Sequence, residues 1–251
     1  DPFTGFFQQN QGLDEILHAI EVAKDDDDIK GISLNNNFIL AGLAQTQAIR
    51  KALSDFRDKG KFVYSYADFY TQKDYYLASV ADSVFLNSVG ILDFKGLASE
   101  VLFYKDLQEK TGIKMEVIRH GKYKSAVEPY LENEMSEANR TQIKELIQSL
   151  WNSMILEISQ GRNISESDLN IIADTLGGRS PEYAKQNGLI DDVIFYDQYE
   201  SKLRKALNLE QDADLNFVEL EDYVKRSNKK ITKKGKDKIA VIFAQGEIFY
   251  G

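Results

Sequence analysis

Along most of the chain, short β-branched and aromatic runs alternate with stretches whose apolar positions recur three and four apart, the pattern of an α/β protein. Leu13, Ile16, Leu17 and Ile20 share one helical face, and the polar run DDDD (25–28) closes that helix before a short strand, IKGISL (29–34). Ile49, Ala52, Leu53 and Phe56 mark the next helix, which Gly60 ends ahead of the strand KFVYSY (61–66). Thr71 and Asp74 have the spacing of a capping box opening a helix over DYYLASVA (74–81), and SVFLN (83–87) follows as a strand. A further pass is predicted as a helix from a Ser99 cap to Gly112 and a strand over KMEVIR (114–119).

Beyond Met135, Ser136 is placed to cap a long helix. Its apolar stripe of Ile143, Leu146, Ile147, Leu150, Trp151, Met154, Ile155 and Ile158 reads as buried packing. Ser165 with Asp168 starts a shorter helix, and Ser180-Pro181 opens another that ends at Gly188. LIDDVIFYD (189–197) reads as a strand leading to a helix near 197–207. After the basic run KRSNKKITKKGKDK (225–238), KIAVIFAQGEIFYG (238–251) is an apolar strand reaching a turn, as though a second domain were starting. The expected organisation is a domain over 1–228, a linker over 229–236 and the beginning of another domain over 237–251.

Composition narrows the classes. A chain of 251 residues with 43% hydrophobic content buries a substantial core and is too apolar for intrinsic disorder. Acidic residues outnumber basic ones 40 to 31, for a net charge of −9, which argues against a nucleic-acid partner; the basic run reads as a solvated linker. No stretch approaches the roughly 20 apolar residues that span a bilayer. The first residues, DPFTGFFQQNQ, lack a signal-peptide pattern and read as the interior of a longer protein, so an anchor upstream is compatible with the sequence. Cysteine is absent, which excludes disulfides and thiolate chemistry. The DDDD run lacks the spaced ligands and glycine of a calcium loop and reads as a solvated turn; no metal site is expected.

Candidate chemistry concentrates in HGKYKSAVEPY (120–130). A lysine acts as a base only when its amine is neutral, and its reference pKa of about 10.4 must fall by several units for that near neutral pH. Neighbouring cations and burial both act in that direction. Arg119, His120 and Lys122 stand close in sequence to Lys124, and Ser125, Ala126 and Val127 are small enough for close packing, while Glu128 acts oppositely. The local chemistry by itself leaves Lys124 as either a surface lysine or a base.

RHGKYKSAVEPYLENEMS (119–136), taken with LSDFRDKGKFVYSYADFYTQKDYYLASVADSVFLN (53–87), resembles the signal peptide peptidase A family, also called protease IV. The resemblance runs from about residue 12 to 225 and is to the N-terminal half of the long, tandem-repeat form. It implies a crotonase-like, caseinolytic-protease-like repeat of β-α-β units with a helical extension. It also implies a serine–lysine dyad endopeptidase in which Lys124 is the general base, with no cofactor. The nucleophilic serine and most of the oxyanion hole would belong to the second repeat. In the first repeat the corresponding place, NNNFILAGLAQTQ (35–47), has Gly42 where a nucleophile would sit, so these residues alone are expected to be inactive. The resemblance further implies signal peptides and other unfolded apolar peptides as substrates and self-association into a tetramer. It places the protein at the bacterial inner membrane, facing the periplasm, on an anchor outside this sequence.

Other readings use the same residues. Ser125 as nucleophile is disfavoured because adjacent residues of an extended segment point to opposite faces. His120 suggests a triad member, but a histidine ending a strand is the ordinary surface case. Arg119 serves equally as an ion-pair partner or as a cation beside the lysine, and His18 falls off its helix's apolar face and is expected to be exposed. Two other classes remain: a catalytically silent scaffold repeat, and an acyl-CoA hydratase or isomerase relative on the same fold.

Overall fold

The computed structural model describes residues 11–35, 38–118, 120–121 and 123–228. Four parallel strands, β1 (Gly31–Leu34), β2 (Phe62–Tyr70), β3 (Ser83–Leu92) and β4 (Asp192–Val193), lie side by side in chain order. Parallel neighbours require crossovers, and helices supply them. Helix α1 (Leu13–Lys24) precedes the sheet, α2 (Leu43–Arg57) links β1 to β2, and α3 (Gln72–Ala78) links β2 to β3. The long connection from β3 to β4 holds α4 (Lys105–Thr111), α5 (Glu128–Leu131), α6 (Glu137–Arg162), α7 (Glu166–Asp174) and α8 (Pro181–Gln186). Helices α9 (Tyr196–Ala206) and α10 (Leu220–Asn228) follow β4.

Local chemistry sets the helix boundaries. The Thr71 hydroxyl accepts from Asp74 N, and the Asp74 carboxylate accepts from Thr71 N, as the capping-box spacing predicts. Ser136, Ser165 and Ser180 cap α6, α7 and α8 in the same way. Gly112 ends α4 with φ +73°, in the left-handed region where the absence of Cβ removes the usual penalty. The main core cluster joins Leu53 and Phe56 of α2, Val63 and Tyr70 of β2, Tyr75 and Tyr76 of α3, Val84 and Leu86 of β3, and Ile155 and Ile158 of α6, and a smaller cluster joins Tyr66, Phe85, Ile194, Tyr199 and Leu203.

Several expectations are corrected. The helix predicted from Ser99 begins only at Lys105, and residues 114–118 form no strand. Their β propensity finds no ladder partner among the described residues, and the strand beside β3 is β4 instead. The strand predicted over 189–197 shrinks to Asp192–Val193. The α6 stripe is buried only in its C-terminal half, at Trp151, Met154, Ile155 and Ile158, while Leu146 is 60% exposed. His18 is half-buried rather than exposed, with Nε2 enclosed and unpartnered among the described residues.

Helix α10 has no counterpart in the sequence reading, since the basic run beginning at 225 reads as linker. It packs on α1, with Tyr223 donating to Asp26 Oδ2 at 2.9 Å and Arg226 reaching Asp28 at 3.2 Å. The acidic turn at 25–28 is therefore more than solvated surface, because it also receives the last described helix. The strand expected over 238–251 and the linker over 229–236 lie outside the described residues.

Candidate active site

The sequence singles out two places, the loop at Gly42 and the segment around Lys124, and the fold builds them differently. At the C-terminal end of β1, where parallel sheets present their ligand crevices, the chain passes through Phe38 with φ +65° and reaches Gly42, the residue preceding α2. Helix α3 holds this loop. The Asp74 carboxylate, buried at 3% exposure, accepts from Ile39 N at 2.8 Å as well as from Thr71, and Lys73 Nζ donates to the Ala41 carbonyl at 2.8 Å. Gly42 N donates to Gln45 Oε1 at 2.8 Å. The cavity beneath, lined by Leu34, Ile39, Ser65, Tyr70, Asp74, Leu77 and Ala78, holds about 10 Å³, the space of a single water. The loop offers no hydroxyl at Gly42, so it supplies shape without a nucleophile.

Lys124 lies elsewhere, on the long connection between β3 and α6. Gly121, at φ +108°, starts a turn in which Lys124 N donates to the Gly121 carbonyl at 3.3 Å, and a second turn follows, with Glu128 N donating to the Ser125 carbonyl at 2.9 Å. The Lys124 side chain is exposed, and so are His120 and Tyr123; Ser125 is half-buried. No described residue hydrogen-bonds or ion-pairs with the Lys124 amine, and Arg119 and Lys122 lie outside the described residues. His120 makes no triad among the described residues. Elsewhere on the same connection Leu102, Leu107, Ile113, Met115 and Ile118 are exposed, as is Leu146 of α6.

The buried anchor of this region is Glu128, which the sequence reading treated only as a charge beside the lysine. Its carboxylate accepts from Ser136 Oγ at 2.5 Å, Ser136 N at 3.4 Å and Asn139 Nδ2 at 2.9 Å, at the N-terminus of α6. The far half of α6 is fixed to the core by another residue that the sequence did not reveal. Arg50, 5% exposed, donates to the Tyr76 and Glu157 carbonyls and pairs with the Glu157 carboxylate at 3.2 Å. A buried arginine in a helix with a short apolar face carries no distinctive spacing, and only its partners reveal it. Among the described residues no cluster of His, Asp or Glu is arranged to hold a metal ion.

A shallow depression at the opposite, N-terminal end of the strands is lined by Tyr64, Ser83, Phe85, Asp191, Asp192 and Lys202. Its two carboxylates are already engaged, Asp191 with Arg162 at 2.8 Å. Asp192 meets Lys185 at 2.7 Å and Lys202 at 3.7 Å, and the Lys185 hydrogen bond is the main reason its carboxyl is held below the usual range.

The fold is thus a parallel α/β domain with a nucleophile-less loop at the strand ends and a lysine on an uncovered apolar arm. Residues 55–210 match Peptidase family S49, and the chain belongs to that family. It is 36% identical over 246 residues to Protease 4 of Haemophilus influenzae, covering 94% of this chain and 40% of that protein. It is 37% identical over 251 residues to Protease 4 of Salmonella typhi, covering 97% and 40%. With the chloroplastic serine protease SPPA of Arabidopsis thaliana it shares 27% identity over 250 residues, covering 99% and 37%. The chain spans about 40% of the length of the two Protease 4 relatives. No described helix is long and apolar enough to cross a membrane.

Proposed function

We propose that this chain is the lysine-bearing repeat of a serine–lysine dyad peptidase, with residues 1–228 as a crotonase-like N-terminal repeat, 229–236 as linker and 237–251 as the start of the serine-bearing repeat. The observation that carries the reading is the setting of exposed Lys124 on a connection where Leu102, Leu107, Ile113, Met115 and Ile118 are also exposed. Such a surface is stable in water only at a cost, and a second repeat docking on it removes both the apolar groups and the amine from solvent. Burial against apolar groups favours a neutral amine, the form that takes a proton.

In the assembled enzyme Lys124 Nζ takes the serine hydroxyl proton as that oxygen attacks a peptide carbonyl, and returns it to the departing amine. Backbone N–H groups of the other repeat stabilise the oxyanion. The substrates are signal peptides and other unfolded apolar peptides, and the repeats assemble into a homo-oligomer, a tetramer, held at the periplasmic face of the inner membrane by an anchor outside these residues. Membership of Peptidase family S49 supports this reading, as do the relatives named as proteases.

A second reading has its own observation. Lys124 is exposed and unpartnered among the described residues, which suits a scaffold repeat whose role is assembly. Replacing Lys124 by Ala in the complete natural protein separates the two. The expected result is a fall in kcat of about a thousandfold with assembly unchanged, whereas peptidase activity within a few-fold of the parent selects the scaffold.

A further inference from the structure

From Lys95 to Ala138 the only buried residue among the described ones is Glu128, at 2% exposure. An anionic side chain is the least expected group to be the single buried point of an otherwise exposed connection, because removing a carboxylate from water is costly unless donors replace the water. The donors are present. Ser136 contributes its hydroxyl and its backbone N–H, Asn139 contributes its side-chain amide, and all three belong to the first turn of a 26-residue helix whose N-terminal dipole favours an anion. That helix is anchored in the core at its other end through Arg50 and Glu157.

The carboxylate therefore connects a rigid element to the residues just before it. Glu128 N donates to the Ser125 carbonyl, so the turn that follows Lys124 closes onto the anchored residue. Pro129 and Tyr130 extend the connection to α4, since Tyr104 N donates to the Pro129 carbonyl at 2.6 Å and Gln108 Nε2 to the Tyr130 carbonyl at 2.7 Å. Between the amine and solid structure there is one turn and one carboxylate.

We infer that Glu128 is the positioning residue for Lys124: by binding the N-terminus of α6 it fixes the 125–128 turn and so the direction in which the lysine presents its amine to the incoming repeat. This rests on Lys124 being the general base. Glu128 acts through the backbone, and its carboxylate accepts from Ser136 and Asn139.

The test uses the complete natural protein carrying Glu128→Ala, Glu128→Gln and, separately, Lys124→Ala, read by amide hydrogen exchange and by peptidase kinetics. In Glu128→Ala the Lys124, Glu128 and Glu132 amides should exchange at least tenfold faster, while those of β2 and β3 keep their rates. Its kcat should fall by about a hundredfold with KM within twofold, and the acidic limb of the pH–rate profile should move to higher pH, since a loosely held amine returns to solvent. Glu128→Gln retains an acceptor for the Asn139 and Ser136 N–H groups and should recover most of the kcat, which loss of fold would not allow. Should Glu128→Ala fail to fold, Asn139→Ala removes one donor and should give a smaller acceleration confined to the same amides. Unchanged exchange at Lys124 and Glu128, or equal acceleration across β2 and β3, overturns the inference even when Lys124→Ala is inactive. An active Lys124→Ala enzyme overturns the proposed base, and it does so independently of the exchange result.

Discussion

Tyr70, Tyr75 and Tyr199 are enclosed by the sheet and its helices, each hydroxyl with a partner: Tyr70 beside Ser65 and the Phe85 carbonyl, Tyr75 on the Leu189 carbonyl, Tyr199 on Ser33. Burial holds all three phenols above their ordinary range, and it pushes Tyr66 up to about 12, with the Asp68 charge adding to it. A folded-state value above the unfolded one means the native state resists losing the proton. The contribution is complete below about pH 10, where phenols in the unfolded chain titrate, and it declines as pH rises through the folded values. Each such phenol weakens the fold by about 1.4 kcal/mol per pH unit within its window. Urea unfolding at a series of pH values should therefore give a flat midpoint up to about pH 10 and a steep fall from there toward 12. The share of tyrosinate absorbance that belongs to the enclosed phenols should appear together with unfolding rather than before it, and ionisation of every tyrosine on a still-folded chain would contradict this. At this scale the sequence was legible where partners are local. Thr71 with Asp74, Ser136, Ser165 and Ser180 each meet a group three residues away. Glu128, Arg50 and the Asp74 bond to Ile39 were not legible, because their partners are brought in by the fold from eight, 107 and 35 residues away.

The elements were legible in proportion to how far each is specified by its own period. Helices α1, α2, α6, α7 and α9 stand where the pattern put them, and strands β1 to β3 begin close to where it put them, although β2 runs on to Tyr70 and β3 to Leu92; residues 114–118 have strand composition without a strand, since a strand needs a neighbour that residue statistics do not contain. Helix α6 shows the same division within one element. Its C-terminal half crosses α3 so closely that a Cβ on Gly161 would collide with the Ser79 carbonyl oxygen and stand 2.8 Å from Arg50 Nη2. Alanine gains at most about 1 kcal/mol over glycine in helix propensity. Against that stand overpacking of about 1–3 kcal/mol and loss of the charged hydrogen bond from Arg50 to the Glu157 carbonyl, about 1.5–3 kcal/mol. The steric side wins. Gly161→Ala should lower stability by about 2–3 kcal/mol, measured as a drop in the urea midpoint with an unchanged slope, although the same substitution stabilises an ordinary exposed helix. A neutral or stabilised variant would mean that α3 and α6 separate more easily than their spacing implies.

For the molecule as a whole, the sheet, its crossover helices and the α1–α10 pairing bury the core, which Phe94 still joins just after β3, whereas no described residue from Lys95 to Ala138 does. Ile118 at 104% exposure and Leu146 at 60% lie on two different elements of that uncovered region, beside the lysine arm and on the projecting half of α6. The sequence did not reveal this, because an apolar residue reserved for a partner has the same composition and period as one reserved for the core. The difference appears as an energy. Truncating a core side chain leaves a cavity and destabilises the fold, whereas truncating an exposed one removes nothing the folded chain had gained. Ile118→Ala with Leu146→Ala, made together in the complete natural protein, should leave the thermal midpoint within about 1–2 °C of the parent when both are measured at a concentration too low for assembly, since both side chains are largely exposed in this chain. If both are buried when repeats assemble, each contributes about 1.5–3 kcal/mol to that association, and their joint loss should raise the dissociation constant at least a hundredfold by sedimentation. Peptidase activity should then become dependent on protein concentration, recovering as the enzyme is concentrated. Association that is unaffected by both substitutions would place the interface on another face and would leave Lys124 in water in the assembled protein, where an amine keeps its proton.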